Sequence, residues 1–250
     1  MPDGAVVKRV THYAKGVGAV IGVLGTAIAT LFLLIDHGVF GGGDDEPGTS
    51  SVNTALRQLD PPLGGGSTLA GESALGNLVA DARRHATQAH IAFVNPGAIR
   101  APIKAGLVTS SDLAAVLPFN NRLVTIDLTG AQIWAVLRQQ FQAPQNRILQ
   151  VAGLRFVYHL QSANEGDIDS VELLSSGAPP AALSDDTRQS YTVVVDSFLA
   201  DGGDGFSVLA DVRNRRTLEL TDQAAPTQHV APLSTPFEVA TQQRIMRRGI

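Results

Sequence analysis

The sequence has 250 residues, 44% of them hydrophobic, enough to bury one sizeable core. With 19 basic and 23 acidic residues the net charge is −4, which argues against a nucleic-acid backbone as partner. Cysteine is absent, which excludes disulfides and thiolate metal sites.

Residues 1–15 form a basic cytoplasmic segment with Lys8, Arg9 and Lys15, and residues 16–35 are an uncharged apolar run long enough to cross a hydrocarbon core as a helix. Asp36, Asp44, Asp45 and Glu46 follow it, so the charge asymmetry puts the N-terminus in the cytoplasm and the rest of the chain outside, as a single-pass membrane protein. The rival reading is a cleavable signal peptide ending at Ala27-Ile28-Ala29, which gives a secreted chain. The apolar run continues past that box to Ile35, which favours the anchor.

Residues 36–66 are rich in Gly, Pro and acidic side chains, from Gly41-Gly42-Gly43-Asp44-Asp45-Glu46 to Pro61-Pro62-Leu63-Gly64-Gly65-Gly66, and read as a flexible linker. The folded domain is expected over residues 67–250. Leu75, Leu78, Val79, Ala82 and Ala86 recur at helical spacing behind Ser73, so residues 74–87 form an amphipathic helix. Ile91-Ala92-Phe93-Val94 is a buried strand, stopped by Asn95-Pro96-Gly97-Ala98-Ile99-Arg100.

Ser110 or Ser111 caps a short helix running to Leu117, which Pro118-Phe119-Asn120-Asn121 breaks. Val124, Ile126 and Leu128 alternate with Thr125 and Asp127 as a strand. Thr129 starts a helix with Ile133, Leu137 and Phe141 on one face and Trp134 beside them. Alternation over residues 151–175 predicts an antiparallel pair. A strand over 191–198 leads into Asp201-Gly202-Gly203-Asp204-Gly205-Phe206, where three glycines around one carboxylate permit positive φ and close backbone approach. That cluster resembles a calcium-binding nonapeptide repeat, but it has no second copy. Thr235-Pro236-Phe237-Glu238 has a capping box with Pro at the first helical position, and Arg244, Arg247 and Arg248 suit the solvated end of that helix. The fold class is α/β, of the α+β kind, with a mixed or antiparallel sheet and flanking helices.

Four segments stand out together: Gly71-Glu72-Ser73-Ala74-Leu75-Gly76-Asn77-Leu78, Asn95-Pro96-Gly97-Ala98-Ile99-Arg100, Leu117-Pro118-Phe119-Asn120-Asn121, and Phe198-Leu199-Ala200 running into Gly202-Gly203-Asp204-Gly205-Phe206. In this order, with Leu149-Gln150-Val151-Ala152-Gly153-Leu154, they closely resemble the C-terminal, substrate-binding domain of the 5'-nucleotidase family, which includes bacterial UDP-sugar hydrolases and animal ecto-5'-nucleotidases. The resemblance covers residues 67–210 and implies helices outside two sheet layers. It implies that Phe119 and Phe198 stack on a base, that Asn95 hydrogen-bonds the base, that Arg100 reaches ribose and phosphate, and that Asp204 accepts from ribose hydroxyls. Gly97, Gly202, Gly203 and Gly205 shape the supporting loops. The animal branch carries a phosphate-binding arginine in its Glu-x-x-x-Gly-Asn segment, and the matching position here is Ala74.

In the family a separate metallophosphatase domain holds two divalent metals and does the chemistry. Six scattered histidines without carboxylates at ligand spacing give no metal site, so no catalytic residue and no cofactor are assigned to this chain. The resemblance implies a nucleotide- or nucleoside-binding specificity domain that serves extracytoplasmic nucleotide hydrolysis with a metallophosphatase chain in trans. The alternatives are a tethered, non-catalytic binding module and a truncated scaffold.

Overall fold

The computed structural model describes residues 54–249, apart from Gly65, Ala143, Thr187 and Arg213. The expected basic segment 1–15, the expected membrane segment 16–35 and the linker as far as residue 53 lie outside the described residues. Among the described residues no helix is long and apolar enough to cross a membrane.

The architecture follows from strands that are apolar on both faces. Strands β2 (Ile91–Val94) and β9 (Ser190–Asp196) lie inside a five-stranded sheet of order β10-β4-β9-β2-β5, with β4 (Arg122–Thr129), β5 (Gln150–Ala152) and β10 (Arg215–Thr221). β2 and β9 run parallel and the other pairs antiparallel. Because successive side chains alternate across a strand, Phe93, Ile126, Val193 and Val195 enter one core while Ala92, Val94, Leu123 and Val194 enter another.

The first core is closed by a second sheet, β11-β6-β7-β8, built from β6 (Leu154–Ser162), β7 (Glu165–Leu173), β8 (Ala181–Ala182) and β11 (Ile245–Arg247). Its β6–β7 hairpin is the antiparallel pair that the alternation predicts. Helix α3 (Gly130–Arg138) contributes Ile133, Val136 and Leu137 to the same core, capped by Thr129, which accepts from Gln132 N–H. The second core is closed by helices α1 (Ala74–Thr87), α2 (Ser110–Val116) and α6 (Ala224–Val230). Ser73 caps α1 by accepting the Gly76 N–H at 2.9 Å, and the buried Leu75, Leu78 and Val79 are each worth about 1.5–3 kcal/mol. The molecule is thus a mixed α/β domain with sheets flanked by helices.

Four expectations are corrected. The segment read as linker contains β1 (Ala55–Leu59), which pairs antiparallel with β3 (Gly106–Thr109) and buries Leu56 and Leu59; its short apolar alternation is masked in the sequence by surrounding Gly and Pro. The cap of α2 is Thr109, not Ser110 or Ser111, in a reciprocal capping box with Asp112. The strand expected over 191–198 ends at Asp196, and Phe198 stands on the short helix α4 (Ser197–Ala200). Among the described residues no helix follows Thr235. Phe237 exchanges backbone hydrogen bonds with Gln58 and Asp60 beside β1, which uses the groups a helix needs, and Arg244 is buried at 5% exposure rather than solvated. The next residues form β11, parallel to β6.

Candidate functional site

Strand pairing gathers the loops. The antiparallel register of Leu123 with Asp196 puts the start of β4 beside the end of β9, and parallel pairing of β2 with β9 turns their C-terminal ends the same way. The turn carrying Phe119, the segment carrying Phe198 and the loop from Asn95 therefore leave one edge of the sheet together. Asn95 opens a 3-10 turn, Pro96–Ala98, and the chain then returns through Arg100, whose N–H donates to the Val116 carbonyl at 2.8 Å.

Asn95 and Asp204 are joined directly. Asn95 Nδ2 donates to Asp204 Oδ2 at 2.8 Å, which fixes the amide so that its Oδ1 faces the other way. That oxygen is buried and accepts no hydrogen bond among the described residues. Asp204 itself has φ 56, between Gly202 at φ 84 and Gly205 at φ 85, so the loop winds through the left-handed region that glycine tolerates. Gly203 is glycine for a different reason: a Cβ there would lie 2.5 Å from the Phe198 ring. The ring thus lies flush on the loop that holds Asp204. A Cβ on Gly97 would stand 3.5 Å from Asn95 Nδ2 and 3.8 Å from Asp204 Oδ2, which places that turn directly over the Asn95–Asp204 pair.

Phe119 and Phe198 are 57% and 47% exposed, although large apolar side chains elsewhere in the domain are mostly buried. Phe198 is in contact with the Gly203 loop; Phe119 stands at the same sheet edge on the turn after α2. The Arg100 guanidinium is exposed, 3.5 Å from the Gly97 carbonyl, and borders a cleft of about 220 Å³ lined also by Gly71, Ser73, Pro96 and Gln150. Ala74 is the first residue of α1, one position past Ser73.

Two supports were not visible in the sequence reading. Arg147 Nε stands 3.4 Å from Asp204 Oδ1 and holds the carboxylate from the side opposite Asn95. The segment just past α3 braces the glycine loop: Gln142 Nε2 donates to the Gly205 carbonyl at 3.3 Å and Gln139 Nε2 to Ser207 Oγ at 2.8 Å. The only available signal was an arginine shortly before Leu149-Gln150-Val151, which carries no partner information by itself.

The family described as "5'-nucleotidase, C-terminal domain" matches residues 54–211. Over 181 residues the chain is 31% identical to the trifunctional nucleotide phosphoesterase protein of Bacillus subtilis, covering 70% of this chain and 12% of that one. An apyrase of Anopheles gambiae is 33% identical over 153 residues, 58% of this chain and 26% of its own length. Among solved structures, a 5'-nucleotidase precursor from Thermus thermophilus superposes with a TM-score of 0.70 at 28% identity, covering 91% of this chain and 42% of that one. The chain spans less than half the length of each of these proteins. With the match running over most of its length and the fold agreeing, the chain belongs to the 5'-nucleotidase family through that family's C-terminal domain.

Proposed function

We propose that this domain binds a nucleoside or nucleotide and supplies the specificity for phosphoester hydrolysis carried out by a metallophosphatase chain in trans, outside the cytoplasm, with residues 16–35 as the membrane anchor. The observation that carries the reading is the Asn95–Asp204 pair: an amide held by one carboxylate oxygen, its own acceptor buried and unpartnered, at a sheet edge with two exposed rings. Asn95 Oδ1 accepts from a base N–H, Asp204 from ribose hydroxyls, and each ring offers a stacking face worth about 1–3 kcal/mol. The planar fork of Arg100 suits phosphate oxygens.

Among the described residues no group of three or more His, Asp or Glu side chains can hold a metal ion. These residues do not fit the paired metals that the family holds in its separate metallophosphatase domain. The Asn95–Asp204 pair serves a second reading equally, a tethered binding module without chemistry. The two are separated by adding a purified metallophosphatase that lacks its own C-terminal domain: accelerated AMP hydrolysis supports the first, and no acceleration supports the second.

Binding itself is tested by calorimetry on the full chain with adenosine and AMP. Both are expected to bind weakly and to bind equally well with EDTA present. Phe198→Ala is expected to weaken both about tenfold, the loss of one stacking face. Asp204→Ala should weaken adenosine as much as AMP, and Arg100→Ala should weaken AMP more. No binding at millimolar ligand, or three variants indistinguishable from wild type, overturns the reading.

A further inference from the structure

Behind the ligand loops lies a charge cluster that none of these contacts uses. Arg83 on α1, Asp196 at the end of β9 and Asp222 just past β10 are each 0% exposed. Arg83 Nη1 stands 3.1 Å from Asp196 Oδ2, and Nη2 stands 3.9 Å from Asp222 Oδ2. Nη1 also donates to the Phe93 carbonyl at 3.4 Å. Arg83 Nε and Nη2 have no hydrogen-bond partner among the described residues. Two carboxylates share one guanidinium in the interior, an arrangement that is weak evidence for stability.

Each member of the cluster grips a different ligand segment. Phe93 lies in β2, directly ahead of Val94 and Asn95. Asp196 caps α4 by accepting the Leu199 N–H at 2.9 Å, and α4 carries Phe198. Asp222 donates its N–H to the Asn121 carbonyl at 2.8 Å, while the neighbouring Gln223 Nε2 donates to the Leu117 carbonyl at 2.8 Å. Those two contacts flank the turn that presents Phe119.

We propose that Arg83, Asp196 and Asp222 are positioning residues for the ligand clamp: one buried guanidinium ties together, from behind, the segments that present Asn95, Phe119 and Phe198, and the charge state of the cluster sets their placement. The proposal rests on the nucleoside reading of the site.

Burial pushes the Asp222 carboxyl up to about 6; Arg83 and the backbone N–H groups of Asn121 and Gln223 act in the opposite sense, and the like charge of Asp196 adds to the rise. The charged groups that face Asp222 are Arg83 and Asp196. On α6, His229 faces His85 and Asp81 instead, and on β4, Arg122 pairs with Glu219 at 2.8 Å on the surface. Below that value Asp222 is neutral and Arg83 balances Asp196 alone. Above it two carboxylates compete for one cation, Asp196 is held less closely, and α4 with its ring is held less firmly.

The test uses the full chain, wild type and the near-isosteric Asp222→Asn, and two measurements over about pH 5–8. The first is the adenosine dissociation constant, since adenosine does not ionise in that range. The second, without ligand, is the pair of amide resonances of Phe119 and Phe198. Wild-type affinity is expected to weaken about threefold from the acid to the alkaline end, and both resonances to titrate together with the Asp222 midpoint. Asp222→Asn should show flat affinity and flat resonances. If adenosine binds but affinity and resonances ignore pH, or if the variant titrates like wild type, the positioning role is overturned and the nucleoside reading stands. If adenosine does not bind while both resonances titrate only in wild type, the positioning role stands and the nucleoside reading fails.

Discussion

A buried carboxyl is a liability above the pH at which it ionises, and Asp222 is one. Its folded value of about 6 lies above the ordinary 3.8 because burial penalises the charged form. The stability this group allows is therefore fully present below pH 3.8 and is lost as pH rises through about 6. Asp222→Asn is expected to stabilise the domain by up to about 3 kcal/mol at neutral and alkaline pH and by nothing in acid, where wild type is also uncharged. Urea unfolding of both proteins at the two extremes checks this, and equal stabilities at the alkaline end refute it. Single residues differ in how legible they were. Asn95 and Asp204, which hydrogen-bond to each other, were singled out together by the family resemblance; locally each is only a polar side chain among turn-forming residues. Arg83 was not, because Ala82-Arg83-Arg84 reads as a helix turning its charge to water, and nothing local announces that its partners Asp196 and Asp222 arrive from two distant strands. Arg147 escaped for the same reason.

Elements were legible where one periodicity governed a whole segment. α1 buries Leu75, Leu78 and Val79 at the 3.6 repeat, β6 alternates along its first half, and β2, apolar at every position, is buried at every position. The segment after Thr235 was not legible, because its capping signature is overridden by long-range contacts. Glu72, 1% exposed, accepts from Asn77 Nδ2 at 2.7 Å, from Gln242 N–H at 2.6 Å and from Arg244 N–H at 3.0 Å. The Arg244 fork lies on Asp81 at 2.9 and 2.7 Å, and its Nη1 reaches the Val151 carbonyl at 2.9 Å. Three elements, α1, β5 and β11, are thereby fastened at one point. Arg244→Ala is expected to destabilise the domain by about 3 kcal/mol, the low end for a broken buried pair because the Asp81 side chain is 33% exposed. Arg244→Lys should recover only part of the loss, since an ammonium cannot bridge both carboxylate oxygens as the fork does. An unchanged thermal midpoint for Arg244→Ala would show that the fork is only a surface contact.

At the scale of the molecule, the apolar runs marked a mixed or antiparallel sheet with flanking helices and the family resemblance implied two sheet layers, but the start of the domain was placed too late. β1 is short and its partner β3 lies far along the chain, so only the folded pairing reveals it. The proposed placement outside the cytoplasm predicts that protease added to intact cells removes the domain; protection until lysis would reverse the orientation, and a free domain in the medium would favour the cleaved form. The fastening of Glu72 and β1 by residues 237–247 also bears on the order of events during synthesis. A ribosome delivers residues 55–72 long before 237–247, so Glu72 and the outer side of β1 emerge without the groups that satisfy them. The Glu72 carboxylate and the outer side of β1 are therefore satisfied only once residues 237–247 have been made.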